Sequence, residues 1–158
     1  MAQRRILFLC TGNYFRSRFA EGLFNHLAQA RGLDWSAFSR GLSVEMAPER
    51  PHLSPFTRNA LMRRGIPLRL CGERKVAASP ADWAAAERVI ALKELEHRPL
   101  MRMKFPQFES QTEFWHVDDV DFSPASESLK LIERLVEGLV TTLEVQQNAA
   151  RDSSSSSI

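Results

Sequence analysis

The sequence predicts one α/β domain whose parallel sheet is covered by helices on both faces. Three observations carry this reading. Residues 6–9 (Ile-Leu-Phe-Leu) and 89–92 (Val-Ile-Ala-Leu) are short, unbroken apolar runs, the pattern of strands buried on both sides. Between and after them, apolar residues recur at helical spacing. The two patterns alternate along the chain, which implies right-handed crossovers and a twisted parallel sheet.

The elements follow in order. Residues 4–9 form the first strand and end in a loop composition, Cys10-Thr11-Gly12-Asn13. From Ser17 the period changes: Phe19, Ala20, Leu23, Phe24 and Leu27 share one helical face, and Gly32 closes the helix. A second strand is expected within 35–42. Three helix starts share one signature, a capping Ser before a Pro at the first helical position: Ser54-Pro55, Ser79-Pro80 and Ser123-Pro124. The first opens a helix over 56–64, stopped at Gly65. The second opens a short helix through Trp83 and leads to a strand at 88–92. Residues 93–104 read as helix with Pro99 at a kink or boundary, 114–117 as the last strand, and 125–147 as a long amphipathic closing helix. Residues 1–150 are expected to form the domain, and 151–158 a disordered Ser-rich tail.

Composition narrows the function. The 158 residues fit one ordinary domain, and 44% hydrophobic with 25% charged residues suits a soluble core under a mixed surface. A formal net charge of +2 is too balanced for an electrostatic nucleic-acid binder. No apolar run approaches the ~20 residues that span a bilayer, and the one at 6–9 is too short for a signal peptide. A cytoplasmic location with no membrane partner is therefore expected. Cys10 and Cys71 make neither a disulfide framework nor a zinc ribbon. No metal site is expected either, because His26, His52, His97 and His116 lack ligand spacing and read as surface or packing residues.

The chemistry concentrates after the first strand, in Cys10-Thr11-Gly12-Asn13-Tyr14-Phe15-Arg16-Ser17, a C-x5-R-S segment. A tight loop between strand and helix turns successive backbone N–H groups inward and makes a nest for a tetrahedral oxyanion. Gly12 permits backbone angles that other residues resist. A Cys at the base of that nest, beside a helix N-terminus and an Arg, is expected to be a thiolate at neutral pH. Arg16 can grip two oxygens of a phosphoryl group. Ser17 is placed to hydrogen-bond the sulfur or to help cap the helix.

Residues 6–21, Ile-Leu-Phe-Leu-Cys-Thr-Gly-Asn-Tyr-Phe-Arg-Ser-Arg-Phe-Ala-Glu, resemble the N-terminus of the low-molecular-weight protein tyrosine phosphatases, a family that includes the thioredoxin-coupled arsenate reductases. The resemblance continues through Ser39-Arg40-Gly41, residues 60–67, residues 89–92 with His97, and Trp115-His116-Val117-Asp118-Asp119. It implies a four-stranded parallel sheet of order 2-1-3-4. It also implies hydrolysis of phosphomonoesters, phosphotyrosine in proteins first among them, through a cysteinyl-phosphate on Cys10 without metal or organic cofactor. Arg16 would bind the phosphate with the loop residues Thr11, Gly12, Asn13, Tyr14, Phe15 and Ser17. Asn13, helped by Ser39, would brace the loop. Asp119 would act as general acid and base, ahead of Asp118 and Asp121.

Three positions depart from the family. Val120 stands where the family has Pro after the acid, which leaves that loop less constrained. Phe15 stands where many members carry a second loop Cys, so oxidised Cys10 has no adjacent partner. Tyr14 places a phenol on the loop rim, where it should crowd or stack on the substrate. A phosphorylated protein or small phosphomonoester is the expected partner; the sequence leaves the oligomeric state open, with a monomer favoured. The alternatives are a non-catalytic module that binds phosphate or phosphoproteins and, behind it, an arsenate reductase, whose disulfide relay Cys71 alone could not complete.

Overall fold

In the structure, a computed structural model that describes residues 3–156, one α/β domain carries a four-stranded sheet of order β2-β1-β3-β4. The strands are β1 (Arg4–Cys10), β2 (Trp35–Gly41), β3 (Arg88–Ala91) and β4 (Glu113–Phe114), and all three pairings are parallel. The helices are α1 (Arg16–Ala30), α2 (Pro55–Arg63), α3 (Pro80–Ala85), α4 (Glu94–Lys104) and α5 (Ala125–Ser156).

Strand alternation decides which side chain meets which layer. On β1, Ile6, Phe8 and Cys10 face a core shared with α1, α2 and α5. Leu7 and Leu9 face the opposite core, built with Trp83 of α3 and Met101 of α4. Both sets are buried, so β1 is apolar throughout, as a central parallel strand must be. The same period places Ser39 of β2 on the α1 face with Trp35 and Ala37. A lone hydroxyl on that wall needs a partner, and it has two in the loop region described below.

The capping expectations hold at two of three sites. The Ser54 hydroxyl accepts the Phe56 N–H at 3.2 Å, and Asp82 accepts the Ser79 N–H at 2.8 Å. At the third, the Ser123 hydroxyl turns away and donates to Asp118 at 2.9 Å. Gly32, at φ 65°, ends α1 in the left-handed conformation expected of a C-terminal glycine.

Two expectations are corrected. The last strand is only Glu113–Phe114: past it the parallel ladder gives way to an antiparallel bridge between Lys93 and His116, while the Trp115 and Val117 amides still reach Ala91 and Leu92. The tail is not disordered through its described part. Residues 151–156 continue α5, whose end is tied back by Gln147 to Gly32 and Asp34 and by Arg151 to Asp34 at 3.3 Å. Residues 157 and 158 lie outside the described residues.

Candidate active site

The β1–α1 loop is turned inside out by its own hydrogen bonds. The carbonyls of Cys10, Thr11, Tyr14 and Phe15 accept from Leu42, Ser43 and Ser54 amides and the Thr57 hydroxyl, at 2.8–3.0 Å. The Asn13 carbonyl accepts from Arg18. With these carbonyls directed outward, the amides of residues 11, 12, 14, 15 and 16, which share their peptide planes, point the opposite way, and among the described residues no backbone carbonyl accepts from them. Amides so arranged can receive an oxyanion.

The backbone reversal is carried by a different residue than expected. Asn13, not Gly12, holds the left-handed conformation, at φ 51°, which Asn tolerates better than most residues. Gly12 is needed for space: a Cβ there would lie 2.7 Å from Ala47 Cβ. Gly41, at the end of β2, does the same from behind, since a Cβ would come within 2.8 Å of the Thr11 carbonyl.

Behind the nest runs a chain of polar groups. The Asn13 amide donates to both Ser17 and Ser39 at 2.9 Å, while its oxygen accepts the Val76 N–H. The Ser17 hydroxyl, which accepts from Asn13, lies 2.9 Å from Cys10 Sγ, where it can donate to the sulfur of a thiolate. The Ser39 hydroxyl donates to Glu21 at 2.5 Å. Burial pushes the Glu21 carboxyl up to about 7, against the pull of the Ser39 hydroxyl and the charges of Arg18, Arg40 and Arg5.

A carboxyl raised by folding favours the folded state most below its unfolded value, here 4.5, and that stability is lost as pH rises through about 7. Glu21→Gln is therefore expected to remove a decline of about 1–3 kcal/mol between pH 5 and 8, discounted for partial exposure. Denaturant midpoints of the two proteins across that range check it. Parallel midpoints would show that Glu21 does not titrate there.

Arg16, 2% exposed, is fixed at two points of its fork. Nη1 donates to the Val117 carbonyl at 3.0 Å, and Nη2 to Glu96 at 2.6 Å, with Asp119 3.5 Å away. The same Glu96 oxygen accepts from the Thr11 hydroxyl and from His97 Nε2 at 3.0 Å. Burial opposes the charge on Glu96, but hydrogen bonds from His97 and Arg16 and the guanidinium charge outweigh it and hold the carboxyl well below the usual range. His97 is fully buried and its burial pushes it down, so it stays neutral. Its Nδ1 accepts the Lys93 N–H, which leaves the proton on Nε2.

Sequence reasoning missed Glu96 and Glu21 and gave His97 only a surface or packing role. The available signal was topological. Glu96 and His97 open α4, just past the carboxyl end of β3, the strand beside β1, and such strand ends are where sites gather in parallel sheets.

The three late carboxylates separate cleanly. Asp118 pairs with Lys93 at 2.8 Å and with Ser123, which keeps it ionised and facing a separate small depression. Asp119 turns into the cleft toward Arg16. Asp121 is exposed at the cleft mouth. The Asp119 loop is more constrained than the missing Pro suggests: the Phe122 and Ser123 amides bond the Asp119 carbonyl, and the Val120 N–H, which a Pro would lack, donates to Asp119 Oδ1 at 2.9 Å.

Seven of the predicted site residues, Cys10, Thr11, Gly12, Tyr14, Phe15, Arg16 and Asp119, line one cleft of about 730 Å³. Asn13, Ser17 and Ser39 support it from behind. Phe15 contributes mainly backbone, since its ring is buried edge-on against Phe56. Tyr14, Met46, Leu95 and Phe122 form the walls, and Phe122 is held under Lys93, 4.2 Å from the ring. Among the described residues no group of three or more His, Cys, Asp or Glu is placed to hold a metal ion. No helix among them is long and apolar enough to cross a membrane.

Comparison with known proteins shows the family and the fold. Residues 5–149 match the family described as low molecular weight phosphotyrosine protein phosphatase. No relative is found among the curated proteins. Among solved structures, a low molecular weight protein tyrosine phosphatase from T. tengcongensis is 26% identical, with a TM-score of 0.74 over 88% of this chain and 99% of that one. YfkJ from Bacillus subtilis is 23% identical, with a TM-score of 0.77 over 92% and 98%. The YwlE arginine phosphatase from Geobacillus stearothermophilus is also 23% identical, with a TM-score of 0.73 over 92% and 96%. The chain belongs to the low molecular weight phosphotyrosine protein phosphatase family and is a cysteine-based phosphatase.

Proposed function

We propose that the protein hydrolyses phosphotyrosine in proteins through a phosphorylated Cys10. The Cys10 thiolate attacks phosphorus, and the tyrosyl oxygen leaves with a proton from Asp119. Asp119 then takes a proton from water, which attacks the cysteinyl-phosphate and releases phosphate and the thiolate. Arg16 and the amides of residues 11, 12, 14, 15 and 16 hold the equatorial oxygens, and Ser17 donates to the sulfur as it becomes the leaving group. The observation that carries this reading is the convergence of Cys10, Arg16 and Asp119 on one cleft. The presence of Asp119 there favours turnover over phosphate binding alone. An arsenate relay is disfavoured because Cys71 is buried, with its thiol pushed up by that burial.

The tyrosine preference rests on the walls, which offer the Tyr14 and Phe122 rings and the Met46 and Leu95 side chains to a flat aromatic group. One observation favours a second substrate, phosphoarginine: Glu96, Asp119 and Asp121 all line the cleft and could face a guanidinium. Matched phosphotyrosine and phosphoarginine peptides test the choice, with the larger kcat/KM expected for phosphotyrosine.

The acid is tested by Asp119→Asn, expected to lower kcat about 10²–10³-fold on a phosphotyrosine peptide and less on p-nitrophenyl phosphate, whose leaving group needs little protonation. Asp118→Asn should stay within about threefold of wild type, as a residue held outside the cleft. A normal Asp119→Asn beside a crippled Asp118→Asn would reverse the assignment.

A further inference from the structure

Arg18 is 1% exposed, and its fork donates to main-chain oxygens with the Cys71 thiol beside it. Its Nε donates to the Cys71 carbonyl at 2.7 Å and Nη2 to the Gly72 carbonyl at 2.7 Å. Nη1 reaches the carbonyls of Asn13 at 3.3 Å and His52 at 3.2 Å. No carboxylate is among these partners; Glu21, one turn further along α1, acts on it through space. A buried guanidinium is costly unless its donors are satisfied, and here four carbonyls from three separate segments satisfy it. One is Asn13, the left-handed residue on which the nest turns. Another is His52, in the segment that brings Pro48 and Ser54 to the cleft wall. The third is the Cys71–Gly72 turn, which does not line the cleft.

We propose that Arg18 is a positioning residue: its guanidinium clamps the Asn13 carbonyl to the chain at His52 and at Cys71–Gly72, and thereby keeps the nest amides aimed at the phosphate. The reasoning is geometric. The Asn13 side chain is pinned by Ser17, Ser39 and Val76, but its carbonyl is held by Arg18. If that peptide rotates, the amide it shares with Tyr14 swings with it. A planar fork can join these carbonyls at once, and a lysine ammonium on a flexible stem cannot. The inference rests on the proposed phosphatase reading, since it concerns the same loop.

The experiment compares wild type, Arg18→Lys and Arg18→Met by inhibition with inorganic phosphate and by kcat, after thermal melts confirm that each is folded at the assay temperature. Arg18→Lys is expected to weaken phosphate inhibition about 10–100-fold, the scale on which small misplacements of a site act, and Arg18→Met at least as much. A residue that only stabilises the fold would lower the melting temperature and leave both readouts unchanged in the folded protein. That result would overturn the proposal. If neither variant folds, hydrogen exchange on the wild type decides. Phosphate should slow exchange at residues 11–15 and also at 71–72, whose carbonyls the Arg18 fork ties to Asn13; protection confined to the loop would overturn the proposal. A wild type that phosphate does not inhibit would overturn the proposed function first, and this inference with it.

Discussion

Cys10→Ser is expected to abolish turnover, lowering kcat by on the order of 10⁴–10⁶, the range seen when a covalent nucleophile is removed. The loss is chemical rather than structural. Serine fits the space at the end of β1, and the Ser17 hydroxyl can donate to its oxygen as it can to a thiolate sulfur. A serine hydroxyl is a weak nucleophile without an adjacent base, and among the described residues Cys10 makes its one side-chain hydrogen bond to Ser17, itself a hydroxyl. The nest amides and Arg16 are untouched, so the variant should still bind phosphate within about tenfold of wild type. Steady-state kinetics with phosphate as inhibitor separates the two quantities. Turnover near wild type would remove sulfur from the mechanism.

Arg16→Lys follows, with kcat/KM expected to fall about 10³-fold. Arg16 serves two structures at once. Its Nη1 closes the cleft floor on Val117, and its Nη2 engages Glu96, which in turn holds Thr11 and His97. The remaining N–H groups of the fork are left for the oxyanion. A lysine supplies one point charge and cannot keep these bonds while facing phosphate. Phosphate inhibition should weaken together with catalysis, in contrast to Cys10→Ser, because Arg16 acts on ground state and transition state alike. A variant that keeps full phosphate affinity and turnover would show that the amide nest alone carries the anion.

The division between what the sequence disclosed and what it concealed follows interaction range. The alternation of Ile6, Phe8 and Cys10 against Leu7 and Leu9, the helical period from Phe19 to Leu27, and the C-x5-R-S loop are all local patterns, and the sheet order with its loop at the strand end is as expected. No local pattern singles out Arg18. Its burial depends on carbonyls at 52, 71 and 72, which no spacing encodes. Glu96 and Glu21 were hidden for the same reason: their partners Arg16 and Ser39 lie 80 and 18 positions away. The choice of Gly12 for the left-handed position followed propensity, but contact with Ala47 demanded a small residue at 12 and left the reversal to Asn13. The shortened β4 and the helical 151–156 go with tertiary ties, the Lys93–His116 bridge and the anchoring of Gln147 and Arg151.

The most direct test of the account is to catch the intermediate. Wild-type protein is mixed with p-nitrophenyl phosphate without added metal, quenched in acid during steady turnover, digested, and the peptide containing Cys10 is weighed. The account predicts one phosphoryl group on Cys10, absent from Cys10→Ser and more abundant in Asp119→Asn, where hydrolysis of the intermediate is slowed. Sustained turnover with Cys10 unmodified, and undiminished in Cys10→Ser, would contradict it.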